Sequence, residues 1–298
     1  MLIRGARPVP PPSGPAGRAL LCLYWALALW LAWLVFDDAA FGLIDDHVFY
    51  NHSLLGSYWR LFWGNELARF CPLNGREFLI LREAGVMSAP LFLGIQSLKL
   101  LACAGLALGV LRRYGAPLGA ACAAGALMLT TPAFLVAASR LFIPELTSLT
   151  FFLAALYFMP GPDDRRAGWR FWVALAAGNL ALYYKEPGFL ALGALASMLV
   201  IGAGFGRGGV QGRFARALLV SAGLYVAAYY FLAYRYKGAQ TYAAGRQLPL
   251  SDILAYYAQN DVLLLGGLAV LCALAPRLSQ GRDGARAAVA CLAGALVY

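Results

Sequence analysis

The chain has 298 residues, of which 61% are hydrophobic and 13% charged, with a net charge of +10. Soluble domains are nearer half apolar and a quarter charged. Here the apolar excess is gathered into blocks, which excludes an ordinary soluble domain and predicts an all-α, polytopic transmembrane bundle. The positive balance does not point to nucleic acid, because the arginines fall in short hydrophilic gaps between apolar blocks, where they act as topology signals.

Residues 1–18, rich in Pro and Arg, read as a disordered cytoplasmic N-terminus, and 19–298 as a transmembrane domain of eight to nine helices. The first apolar run, 19–36, is long enough to cross a bilayer. It ends in Phe36-Asp37-Asp38 without a small-x-small cleavage site, so a retained signal anchor is expected rather than a cleaved signal peptide. The next segment, 37–88, is too polar to cross. Further helices are expected over 89–111, 116–137, 141–160, 170–184, 188–205, 217–234 and 261–276. A ninth run begins near Ala287 and stops at Tyr298. It spans about 18 Å at helical rise against a hydrocarbon core of about 30 Å. The sequence therefore reads as the N-terminal part of a longer protein, cut inside a helix.

With the N-terminus cytoplasmic, the inner segments are 1–18, 112–115, 161–170, 206–216 and 277–286. They hold Arg4, Arg7, Arg18, Arg112, Arg113, Arg165, Arg166, Arg170, Arg207, Arg213, Arg216, Arg277, Arg282 and Arg286. Every inner segment has at least two arginines, as the positive-inside rule requires. Segments 37–88, 138–140, 185–187 and 235–260 then share the outer face. That face is periplasmic in a bacterium, whose inner or plasma membrane is the expected location, and luminal in a eukaryote.

The first outer loop carries four carboxylates within ten residues, Asp37, Asp38, Asp45 and Asp46, beside the end of a membrane span. Charge at that position is costly unless solvated, paired or used. Farther on, Leu55, Tyr58, Trp59, Phe62 and Trp63 recur at helical spacing, as in an interfacial helix. Pro72 and Gly75 end it, and 76–82 begins a second short amphipathic helix. His47 and His52 flank the aspartates without a recognised metal spacing. Neither CxxC nor Cys/His spacing occurs among the six cysteines, so no metal or cofactor is expected, a divalent cation being the residual alternative.

Other polar residues stand where a bilayer makes them expensive. Lys185-Glu186 sits in a Pro-Gly turn between two spans, either as a solvated cap or as a cationic hold on an anion. Arg140 and Glu145 flank Pro144, with Glu145 inside an apolar run, where it is either a structural pair or faces a polar cavity. Arg69 reads as a headgroup-snorkelling residue or a site cation. Lys99, within the 89–111 run, must face protein or water, or neutralise.

Ile44-Asp45-Asp46-His47-Val48-Phe49-Tyr50-Asn51, Arg69 with Pro72-Leu73, and Tyr184-Lys185-Glu186 occur in that order on a first-helix, outer-loop topology. This pattern resembles the GT-C superfamily of membrane glycosyltransferases, among them the protein O-mannosyltransferases and lipid A aminoarabinose transferases, over roughly 19–205. The resemblance implies an inverting hexosyl-type transfer on the outer face, from a polyprenyl-phosphate-linked sugar to a lipid, glycan or protein acceptor. It places the catalytic carboxylate at Asp45, with Asp46 beside it and Asp37 as the alternative. The donor phosphate would be held by Arg69, Arg140 and Lys185, supported by Glu186, Glu145 and His47. Two other classes remain: a transporter or flippase of a lipid-linked or small solute, which would show deep ionisable residues in broken, repeated helices, and an inactive membrane scaffold.

Overall fold

A computed structural model describes residues 14–37, 70–85, 88–141, 143–161, 168–185, 188–203 and 209–234, all within one unit, Leu2–Tyr236. The described residues form helices and no strands: α1 (Pro15–Asp37), α2 (Arg76–Glu83), α3 (Ala89–Arg113), α4 (Leu118–Leu129), α5 (Pro132–Ser139), α6 (Glu145–Phe158), α7 (Trp169–Tyr184), α8 (Gly188–Ala203) and α9 (Val210–Tyr229), which continues into a π-turn over Tyr230–Tyr234. Three helices are long and apolar enough to cross a bilayer, Pro15–Asp37, Ala89–Arg113 and Val210–Leu232, which points to a membrane protein. Their perimeter agrees, since Leu23, Trp30, Trp33, Leu98, Val220 and Leu224 lie exposed.

The expected span over 116–137 is instead two helices, α4 and α5, bent by 61°. The cause is local. Thr130 Oγ1 donates back to the carbonyls of Ala126 and Leu127. Thr131 then caps α5 by accepting from the Phe134 amide, and Pro132 has no N–H to continue the ladder. Nor does α9 wait until 217; it starts at Val210 and takes in Arg213 and Arg216. The expected interfacial helix around 55–63, the helix over 261–276 and the run from Ala287 lie outside the described residues.

Contacts between helices fix their directions. The Tyr24 hydroxyl donates to the Ala104 carbonyl at 2.7 Å and Ser97 to that of Ala32 at 2.8 Å, so α1 and α3 are antiparallel. Gln96 Nε2 donates to the Arg140 carbonyl at 3.0 Å, and the Arg113 guanidinium to that of Met159, so α3 and α6 are parallel. Ser148 donates to the Ala181 carbonyl at 3.1 Å and the Phe158 and Trp169 rings meet, so α7 returns against α6. The ring pairs Phe171–Phe214 and Tyr183–Tyr225 set α9 parallel to α7, and Phe189–Tyr225 brings α8 back between them. Small residues allow these approaches: a Cβ on Gly178 would lie 2.9 Å from Leu218 and one on Gly125 2.8 Å from the Tyr24 ring.

Two ends result. Arg18, Arg112, Arg113, Arg170, Arg213 and Arg216 share one. Glu77, Lys99, Arg140, Glu145 and Lys185 share the other. Helix lengths differ in a way that matters there. With 23 and 25 residues, α1 and α3 extend about 35 Å and 38 Å, whereas α6, α7 and α8, with 14, 16 and 16, reach only about 21–24 Å. The mixed-charge level is thus sunk about 10 Å or more below the far ends of the longest helices.

Candidate functional site

The segment that leads into α2 packs against α7 and α9 at this end. Phe70 and Cys71 are buried, and the Tyr225 hydroxyl donates to the Phe70 carbonyl. The Leu73 amide donates to the Tyr183 carbonyl at 3.1 Å, which ties the turn to the last residues of α7. Gly75 then takes the left-handed conformation (φ 65°) that lets the chain reverse into α2. Non-helical backbone in such a position needs partners inside the protein, and these hydrogen bonds supply them. The second short helix expected from the sequence is therefore present as α2. Its Phe78 and Leu79 are buried, with the Phe78 ring against Phe92 of α3.

Two ion pairs lie at the recessed level. Glu77, in the first turn of α2, takes the Lys99 ammonium on Oε1 and the Tyr184 hydroxyl on Oε2 at 3.1 Å. Lys99 also sits over the Phe78 ring, 4.9 Å from its centre. Lys99 stands about 21 Å from the Arg113 end at helical rise, and its charge is met by protein rather than by water. The second pair closes the open end of the α6–α7 hairpin: Lys185 Nζ, just past α7, is 2.7 Å from Glu145 Oε1, the first residue of α6. The Lys185 side chain is 16% exposed, so it is not a solvated cap. Glu145 Oε2 is buried and has no hydrogen-bond partner.

The structure thus brings together Lys185 and Glu145 from the residues singled out in the sequence, and places Arg140 at the same end. Glu145 pairs with Lys185 rather than with Arg140, although Arg140 is nearer in sequence. The Arg140 backbone carbonyl serves as the acceptor for Gln96. Asp37 is the exposed last residue of α1; with Phe36 against Gly94, it stands at the level of the Phe78–Phe92 contact, above the ion pairs. Asp45, Asp46, His47, Arg69 and Glu186 lie outside the described residues. Sequence reasoning missed Glu77 and the Tyr184 hydroxyl as site members. The available signal was Lys99 itself, an apolar-run cation that demands a carboxylate, with Glu77 in the adjoining outer segment.

Chemically, the level offers two ammonium groups, two carboxylates and a phenol among aromatic rings, including Phe151 against Tyr184. That set suits an amphiphile with an anionic, hydroxyl-bearing head. Among the described residues no group of three or more His, Cys, Asp or Glu is placed to hold a metal ion. No family model, no curated protein and no solved structure matches the chain.

Proposed function

We propose that this chain is a multi-pass membrane glycosyltransferase of GT-C type. It transfers a sugar from a polyprenyl-phosphate donor to an acceptor at the outer face of a bacterial plasma membrane. The observation that carries the reading is the charged cluster: cations and carboxylates from α2, α3, α6 and the end of α7 meet at one level, short of the ends of the longest helices. The arginine-rich end lies opposite and is assigned to the cytoplasm by its charge. A polar level in the outer leaflet suits a lipid-borne headgroup whose chain stays in hydrocarbon.

In this reading Asp45 removes the proton from an acceptor hydroxyl, a role in which a positioned base contributes about 10²–10⁴-fold. The acceptor oxygen attacks the anomeric carbon with inversion, and polyprenyl phosphate leaves. Lys185, Arg69 and Arg140 stabilise the charge that grows on the departing phosphate, in a site partly closed to water where such charges act strongly. Asp46 orients the acceptor or balances a cation. The test is Asp45→Asn in membranes supplied with polyprenyl-phosphate sugar: transfer falls at least a hundredfold while insertion is unchanged. Transfer near the wild-type rate ends the assignment.

One observation favours a second reading. The break between α4 and α5 gives a discontinuous apolar span of the kind found in transporters. Movement of a lipid-linked solute across vesicles without sugar transfer would select it.

A further inference from the structure

The two ion pairs at the recessed level are not equivalent, and the difference assigns them different tasks. Glu77 has both carboxylate oxygens engaged, one by Lys99 and one by Tyr184. Its charge is fully answered and it links three helices, α2, α3 and α7. Glu145 is held by one oxygen only; Oε2 is buried with no partner. A buried carboxylate oxygen without a donor has lost its water and gained nothing in return. Of the two lysines, Lys185 is accordingly the one whose anion is less securely held. It also lies in extended backbone just outside α7, free of a helical frame, whereas Lys99 is locked mid-helix over a ring.

We propose that Glu145 is a resident anion that occupies the Lys185 ammonium and yields it to the phosphate of a lipid-borne ligand. This rests on the transferase reading for the identity of the ligand and goes beyond it by assigning Glu145 as a competitor rather than as a support of phosphate binding. With no ligand, the pair keeps the Lys185 charge balanced in a recess where an unmatched ammonium is costly. When the phosphate arrives, its oxygens replace Oε1 on Lys185, as a Lys ammonium accommodates phosphate well. Glu145 then turns away with Oε2 released from its unpartnered position. The exchange moves one anion out as another comes in, so the recess stays near electroneutral. Anionic headgroups are thereby favoured over neutral ones.

The test uses the full chain in phosphatidylcholine nanodiscs, with a polyprenyl monophosphate as probe and inorganic phosphate as a second arm. Native mass spectrometry reads occupancy, and the thermal-unfolding midpoint reports folding. Glu145→Gln, which removes the competing charge, binds the lipid phosphate about tenfold more tightly than wild type, the scale of one charge-assisted hydrogen bond. Lys185→Met weakens binding, and the double variant binds no better than Lys185→Met alone. Glu145→Asp retains the charge at shorter reach, gives a smaller gain with the same dependence on Lys185, and serves where the glutamine variant does not fold. If the Glu145 variants bind equally or more weakly while Lys185→Met still weakens binding, the competition is refuted and the phosphate reading stands. If Lys185→Met binds like wild type, the phosphate assignment of Lys185 falls and the competition with it. A gain seen with inorganic phosphate but not with the lipid refutes the lipid-borne ligand.

Discussion

Removing the Lys99 ammonium is the sharpest test of how the first loop is anchored. Lys99→Met leaves Glu77 facing only the Tyr184 hydroxyl, with no cation within the contacts described for it. Two unit charges at contact gain about 4 kcal/mol at an effective dielectric of about 20, and loss of one partner from a buried pair costs about 3–5 kcal/mol. The pair retains 15% and 21% side-chain exposure, which lets water answer part of the orphaned charge. The lower limit therefore applies, about 3 kcal/mol. Glu77→Gln costs less, about 2 kcal/mol, because Lys99 keeps the Phe78 ring, a contact of the cation–π kind. The double variant has no unpaired charge and costs about 2 kcal/mol, less than Lys99→Met alone, a coupling of about 3 kcal/mol. Equilibrium unfolding in mixed micelles with rising dodecyl sulfate, followed by tryptophan fluorescence and far-ultraviolet dichroism, measures all four corners of the cycle. Additivity within about 0.5 kcal/mol would show that the pair does not hold α2 on the bundle.

Gly188 packs its α-carbon against the backbone of α7, where a Cβ would stand 2.9 Å from the Ala181 carbonyl oxygen. Backbone has no rotamer to yield, so Gly188→Ala destabilises by about 1–3 kcal/mol in the same unfolding assay and disturbs the turn that carries Lys185. Gly85→Asn, by contrast, meets no neighbouring atom, and the left-handed backbone (φ 76°), which Asn tolerates better than other L-residues, limits the loss to about 1 kcal/mol. Tyr24→Phe removes the hydroxyl that donates to Ala104 from within the α1–α3 interface; the loss is about 0.6 kcal/mol, the usual scale between membrane helices, read from the unfolding midpoint.

Most helix positions were legible because a bilayer imposes a length on apolar runs, and the runs at 19–36, 89–111, 170–184 and 188–205 match α1, α3, α7 and α8 to within a few residues. Where the reading failed, hydropathy carried no information about direction. The Thr130-Thr131-Pro132 break is too short to interrupt the apolar average over 116–137, and the hydroxyl hydrogen bonds and the missing proline N–H turn the chain. The late start assigned to α9 came from counting Arg213 and Arg216 as loop, although long side chains let arginines occupy a helix end.

The candidate site divides in the same way. Lys185, Glu145 and Arg140 could be named from sequence alone, since an ionisable residue in or beside an apolar run must have a use or a partner. Which partner it has could not. Glu145 and Lys185 are separated by a full helical hairpin, and Glu77 and Lys99 belong to different helices with a turn between. Their meeting depends on the register in which α3, α6 and α7 pack and on the unequal lengths that leave a recess for the returning loop. The one-dimensional pattern locates the apolar runs, because that is a matter of transfer free energy residue by residue. Side-by-side register is set by shape, by where glycine and alanine let two helices close, and so exists only once the chain is packed.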